Sequence, residues 1–343
     1  MHDHRTLKYV FSLPFLLVLL VMSGCRSKDF LVPEEEFTVM SLNVDGLPSQ
    51  ILFVDVNPDG PGAEYMPDVS LYIGEQYCEF VGVQENFNFD AQLRSRLDVD
   101  YLHDTWSGGI LSDNFNNDVS APRYYCDGLS GFWLKSLRRG DMVARVEWND
   151  NCGLFDHSWD GIATKGFRRY ELTLEGNSEV VVYNMHMDAS TPEDEAAGLD
   201  GPDRIARLNQ WRQLRDHILE HLDHRPVVVL GDMNSYYARD SIVSQFIDAI
   251  QSTGRASVGD VWVELVRGGI YPDLQEGIVT HDGSGGWRRN GETLDKILYV
   301  NPIGGRHIRP VAYMLDTLHY LRPDSVTPLG DHFPIMATFR FTD

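Results

Sequence analysis

The residues best suited to chemistry stand where apolar, β-rich runs end. Asn43 falls within Phe37–Val44, Glu85 closes Phe80–Glu85 and His186 closes Val180–His186. Asp232 and Asn234 follow the fully apolar Pro226–Leu230, Asp295 lies in Leu294–Val300, and Asp331 and His332 precede Phe333–Phe341. Hydrolysis of a phosphoester calls for these residue types. A hard cation held by oxygen ligands neutralises the phosphoryl oxygens, and Asn43, Glu85 and Asp331 offer an amide and two carboxylates for it. The reaction also needs a water held in line and deprotonated, and donors aimed at the developing charge. Asp232 and Asn234 project from one strand end, where the small Gly231 leaves room for close approach. Taken singly, each residue has a plainer reading: Asn43 as a turn former, Glu85 as an exposed carboxylate, His186 or His332 as a hydrogen-bonded structural imidazole, Asp331 as the start of a turn. Their joint occurrence in this order points to a single site.

The elements that must position these residues are mostly strands. Besides the runs above, Gly131–Leu134, Val143–Val146 and Arg169–Leu174 read as strands. Asp68–Cys78 carries Val69, Ile73 and Tyr77 at helical spacing behind Pro67, and Gln50–Met66 reads as a long surface loop. Arg204–Leu222 is expected to be a helix with Ile205, Leu208, Trp211, Leu214, Ile218 and Leu222 on its apolar face. Its Arg204, Arg207, Arg212 and Arg215 are expected on the solvated face. A chain of 343 residues that is 43% hydrophobic can bury one large core. Strands with polar ends, separated by long loops and helices, suit a two-sheet α/β sandwich whose loops gather at one rim.

In order, Leu42-Asn43-Val44-Asp45-Gly46, Val83-Gln84-Glu85, Asn184-Met185-His186-Met187-Asp188, Gly231-Asp232-Met233-Asn234, Leu294-Asp295 and Gly330-Asp331-His332-Phe333-Pro334 resemble the endonuclease/exonuclease/phosphatase superfamily. This is the DNase I-like fold, which includes neutral sphingomyelinases and inositol polyphosphate 5-phosphatases. The resemblance spans Phe37 to Phe341 and implies a four-layer α/β sandwich, two packed mixed β-sheets flanked by helices. It implies a cofactor of magnesium, or manganese or calcium, held chiefly by Glu85 with Asn43 and Asp331. His332 would act as general base, oriented by Asp295. His186 would donate to a phosphoryl oxygen or the leaving group, Asp232 would position the water, and Asn234 would stabilise the pentacoordinate phosphorus. Lys165-Gly166-Phe167 is similar to the Lys-Gly segment of neutral sphingomyelinases, which makes Lys165 a candidate substrate-binding residue. It reads equally as a strand-edge lysine.

The N-terminus has a basic start, Arg5 and Lys8, and an apolar run from Tyr9 to Met22, short for a membrane-spanning helix. Val21-Met22-Ser23-Gly24-Cys25 resembles a bacterial lipobox, with Met22 where Leu is usual. The expected organisation is a signal peptide over 1–24, a tether over 25–36 and one catalytic domain over 37–343, exported to the cell envelope or surface and lipid-anchored at Cys25. Export permits a disulfide, expected between Cys126 and Cys152 in Asp/Asn/Gly-rich loops, while Cys78 is expected as a buried thiol. The formal charge of −22 disfavours tight binding to polynucleotides, although bound metal ions can reverse a local field. A monomer acting on a phosphoester, with a lipid or head group preferred over nucleic acid, is the leading expectation. An extracellular nuclease, an inositol phosphate phosphatase and a non-catalytic binding lipoprotein are the alternatives. The long loops Gly46–Met66 and Tyr101–Tyr125, the latter with Trp106, Phe115 and Tyr124, would set specificity.

Overall fold

The computed structural model describes residues 35–51, 54–55, 57–105, 126–151, 163–190, 201–237, 239–273 and 291–342. Cys25, Cys152 and the aromatic residues between 106 and 125 lie outside them, as does the whole expected leader. From Glu35 onward the chain gathers into one compact unit.

Two six-stranded sheets carry the site. The first has the order β13 (His307–Leu315), β14 (Ile335–Thr342), β1 (Glu36–Asn43), β4 (Phe80–Gln84), β6 (Ser130–Leu134), β5 (Tyr101–His103). The second runs β11 (Ala256–Asp260), β12 (Asp295–Pro302), β10 (Val227–Asp232), β9 (Glu179–His186), β8 (Gly166–Thr173), β7 (Arg139–Glu147). A two-stranded ribbon of β2 (Gln50–Ile51) and β3 (Val54–Asp55) lies apart from both. Each large sheet is mixed, with a parallel pair inside it: β1 with β4, and β9 with β10. Strands buried on both faces need apolar residues on both, which is why Val227–Leu230 reads as a continuous apolar run.

The facing sheets share a core in which Val81, Tyr170, Val182, Leu230, Ile297 and Phe339 are all buried. Helices α1 (Gly62–Gln76) and α2 (Asp90–Leu97) add Met66, Val69, Ile73, Leu93 and Leu97 to it. A second cluster joins the second sheet to α3 (Gly201–Glu220) and α4 (Ile242–Gln251), with the Trp211 and Phe246 rings 4.3 Å apart. The short α5 (Val261–Arg267) follows β11 directly and is capped by the Asp260 side chain, which accepts from Val263 N at 3.1 Å. The result is two mixed sheets flanked by helices, as the sequence implies.

Three local expectations need correcting. Helix α1 begins at Gly62 rather than Asp68, so Pro67 lies inside it and Gln50–Met66 is not all loop. Tyr77 ends that helix in the left-handed region and is exposed instead of packing on its apolar face. On α3 the faces are rotated at the start: Ile205 is 58% exposed, whereas Arg207 is fully buried and donates to Ser190 Oγ at 2.7 Å and to the Asp188 carbonyl. Arg207 thus satisfies the chain leaving β9, an offset to burying its charge.

Candidate active site

Strand register sets the first row of functional groups. His186 pairs laterally with Asp232, and Asp232 with Asp295, so β9, β10 and β12 end in one line of titratable residues. Two short devices make this row possible. Gly231 has φ +143°, and a Cβ there would overlap the Met185 carbonyl oxygen, so only glycine fits between the strands. Asn234 is left-handed at φ +46°, held by its own N–H donating to Asp232 Oδ1 at 2.9 Å and by Nδ2 donating to the Met187 carbonyl at 3.0 Å. Such conformations cost energy and mark places where a side chain must be aimed.

The first sheet supplies the opposing wall. Asn43 ends β1, and Glu85 follows β4 with φ +58°. Asn43 Nδ2 bridges the two sheets, donating to Glu85 Oε1 at 2.9 Å and to Asp232 Oδ2 at 3.1 Å. One residue behind the site a second amide pair clamps the layers: Gln84 Nε2 donates to Asn184 Oδ1 at 2.6 Å, and Asn184 Nδ2 donates to the carbonyls of Val83 and Ser130. Gly82 faces Leu230 and Asn184, where a larger residue would push these walls apart.

Asp232 is the hub. Its Oδ2 lies 3.6 Å from His186 Nε2 and 3.7 Å from His332 Nε2, while His186 Nε2 is 3.9 Å from Glu85 Oε1. His332 Nδ1 is 2.7 Å from Asp295 Oδ2, which orients the imidazole with Nε2 toward Asp232. Among the described residues, two groupings have ligand atoms close enough to share a cation, Glu85–His186–Asp232 and Asp232–Asp295–His332. Asp331, expected as a ligand, is exposed at the rim, and its charge acts on Glu85. Lys165 is buried and donates to the Met187 carbonyl at 3.1 Å, the oxygen that also receives Asn234. Beside His332 and Asp295 opens a cavity of about 90 Å³ lined in part by Tyr236, Thr293, Leu315 and Phe333.

The charges are arranged for divergent protonation. Burial, and after it the like charge of Asp331, pushes the Glu85 carboxyl up to about 7. Burial with Asp331 and Glu85 pushes Asp45 up to about 8, against a hydrogen bond from Asn57. Burial works to raise Asp232, yet His332 and His186 hold it below the ordinary carboxylate range. His332 is driven the other way: burial opposes its charge, but Asp295 and Asp232 hold the imidazole well above its usual range. Carboxylates crowded until they resist ionisation fit a site that a divalent cation would complete, and oxygen donors of this kind suit a hard ion.

Asp45 and Asn57 belong to this neighbourhood without having been expected there as site residues. Asp45 lies inside the Leu42–Gly46 motif, so a signal existed; Asn57 sits in loop sequence and gave none. Cys78 is buried as expected, and its surroundings push the thiol up to about 12.

No family model matches the chain. Sphingomyelinases of Mycobacterium bovis and Mycobacterium tuberculosis are 23% identical over 313 residues, 89% of this chain and 53% of theirs. The chain therefore spans about half the length of the curated relatives it matches. Among solved structures, a Staphylococcus aureus beta toxin variant with bound magnesium ions superposes with TM-score 0.55 at 17% identity, over 88% of this chain and 99% of the toxin. D. rerio TDP2 complexed with a single-strand DNA product gives 0.56 at 16%, over 89% and 99%. The human Nocturnin catalytic domain with bound sulfate gives 0.53 at 16%, over 90% and 95%.

The chain has the DNase I-like fold.

Within a DNase I-like sandwich the residues assembled above occupy the strand ends at one rim, where loops of the two sheets meet.

Proposed function

We propose that this chain is a magnesium-dependent phosphodiesterase acting on a sphingophospholipid or similar phospholipid head group by in-line attack of water. The observation that carries the proposal is the continuous constellation Glu85–Asn43–Asp232–His332–Asp295, with His186 beside it, built from both sheets at a single rim. Glu85 would hold the cation, its carboxylate set by the Asn43 amide and with Asp331 near it. Bound magnesium would supply Lewis acidity toward the phosphoryl oxygens and offset the crowded carboxylates.

The chain's own groups do the rest. With the carboxylate field offset, His332 takes a proton from water at Nε2, because Nδ1 is committed to Asp295. Asp232, ionised and lying between the two imidazoles, orders that water. His186 and Asn234 donate toward the phosphoryl oxygens, and the buried Lys165 adds positive charge beside them. The cavity next to His332 gives room for one substituent of the phosphodiester.

Substrate class rests on the sphingomyelinase relatives and on the acidic charge of the chain. A nuclease reading is favoured by one observation, the likeness to a structure holding a DNA product. Export and a lipid anchor at Cys25 complete the proposal, placing the enzyme at a membrane surface. The test is a magnesium-dependent panel of sphingomyelin, phosphatidylcholine, inositol phosphates and single-stranded DNA. Turnover of sphingomyelin above the others supports the reading; preferential turnover of DNA replaces it with the nuclease.

A further inference from the structure

Trp148 follows directly on β7, is buried, and has no role in the chemistry above. Its indole Nε1 donates to the His186 carbonyl at 2.7 Å. Strand register explains why an indole is needed there. β8 pairs with β9 only as far as Phe167 opposite Met185, one residue short of His186. Gly166 lies opposite Glu147 of β7, and a Cβ on it would overlap the Val146 carbonyl oxygen, so β7 runs close alongside. The indole enters where the β8–β9 ladder stops and gives the strand end a donor. The same residue holds Lys165: Trp148 N–H donates to the Lys165 carbonyl at 3.1 Å, while Lys165 Nζ reaches the Met187 carbonyl. Trp148 is itself gripped. Its ring lies against Phe167 with centroids 5.1 Å apart. Gln213 of α3 takes the residues on either side of it, Nε2 donating to the Glu147 carbonyl and Oε1 accepting from Asn149 N–H, both at 2.8 Å.

A buried indole N–H needs an acceptor, so packing alone would account for one such bond. It does not account for the convergence of bonds on a single segment. His186, Met187 and Asp188 receive Trp148, then Lys165 with Asn234, then Gln210 with Arg207, from β7, β10, α3 and the turn before β8. The fully buried Gln210 also donates to the Asp150 carbonyl at 2.9 Å, so α3 joins the chain leaving β7 to the chain leaving β9. A strand end tied at each residue keeps its side chain in one place, and His186 Nε2 must stay within reach of both Asp232 and Glu85. We propose that Trp148 is a positioning residue, which fixes the His186 and Lys165 backbones so that their side chains meet the phosphoryl group in one geometry. This rests on the phosphodiesterase reading above and adds to it a residue that acts only through its neighbours.

Steady-state hydrolysis of an activated phosphodiester by the full chain with magnesium, run well below each protein's melting temperature, tests it. Trp148→Phe keeps a ring against Phe167 and removes the donor. The expected result is a kcat lowered about fivefold or more with KM within about twofold of the parent, because the reacting groups lose alignment while the substrate keeps its contacts. Tyr299→Phe is the control: it deletes a hydroxyl bonded to Glu264, farther along β12 from the rim, and should leave kcat unchanged. A bond that merely stabilises the fold would lower the melting temperature of Trp148→Phe with a smaller fall in kcat, and that result overturns the proposal. So does an equal fall in kcat in Tyr299→Phe. Should Trp148→Phe not fold, Gln213→Met decides, since it frees the residues flanking the indole: a kcat lowered about threefold or more supports the role, and a smaller change ends it. No turnover by the parent rejects the phosphodiesterase reading, and this proposal with it.

Discussion

Cation affinity should depend on pH across neutrality, with a size set by Glu85. Its folded pKa is about 7 against an ordinary 4.5, raised by burial and by Asp331. The sign follows from the ligand: magnesium needs the ionised carboxylate, so a proton must leave wherever Glu85 still holds one. A group with that pKa is ionised in roughly one molecule in eleven at pH 6 and ten in eleven at pH 8, so affinity should rise about tenfold over that interval. The same shift predicts that the metal-free fold loses stability as pH rises from the ordinary carboxylate range through 7, on the order of 3 kcal/mol from Glu85 at most, because the folded state holds the proton more tightly than the unfolded one. Titration calorimetry at pH 6, 7 and 8, repeated in buffers of different ionisation enthalpy, measures both affinity and protons released. About half a proton from Glu85 should appear at pH 7, and Glu85→Gln should abolish the step. Equal affinity at pH 6 and 8 with no proton release would refute the reasoning.

Two substitutions probe the remainder of the site. Asp295→Asn removes the anion 2.7 Å from His332 Nδ1 and allows the wrong imidazole tautomer; kcat should fall about 10²- to 10⁴-fold with KM little changed, and steady-state kinetics showing intact kcat would count against the pair. Gly231→Ala places a Cβ on the Met185 carbonyl at a backbone angle that side chains rarely adopt, so it should cost roughly 3 kcal/mol or more in urea unfolding. A midpoint equal to the parent's would mean the strands can part there freely.

The central strands were legible because burial on both faces writes a plain apolar run, as in Val227–Leu230, and because each run stops at a polar residue that must reach the rim. Strand β13 left no such mark. Its exposure alternates, Pro310 interrupts it beside a bulge, and it lies at the edge of its sheet, the place where a strand tolerates proline. Helix α1 was read too short since Pro67 looks like a start signal, yet a helix can lose one hydrogen bond and continue. Arg207 was placed outside by its charge, although its partners at Asp188 and Ser190 become neighbours only in three dimensions. Of the site, the residue types and their order were readable. Asn57 was not, because its proximity to Asp45 arises only in the fold and leaves no local pattern.

The most direct measurement is hydrolysis of an activated phosphodiester by the purified chain with magnesium, with chelator, and with Glu85→Ala or His332→Ala in place of the parent. Magnesium-dependent turnover by the parent, lost in chelator and in both folded variants, is the predicted result. Undiminished turnover in chelator or in both variants would contradict it.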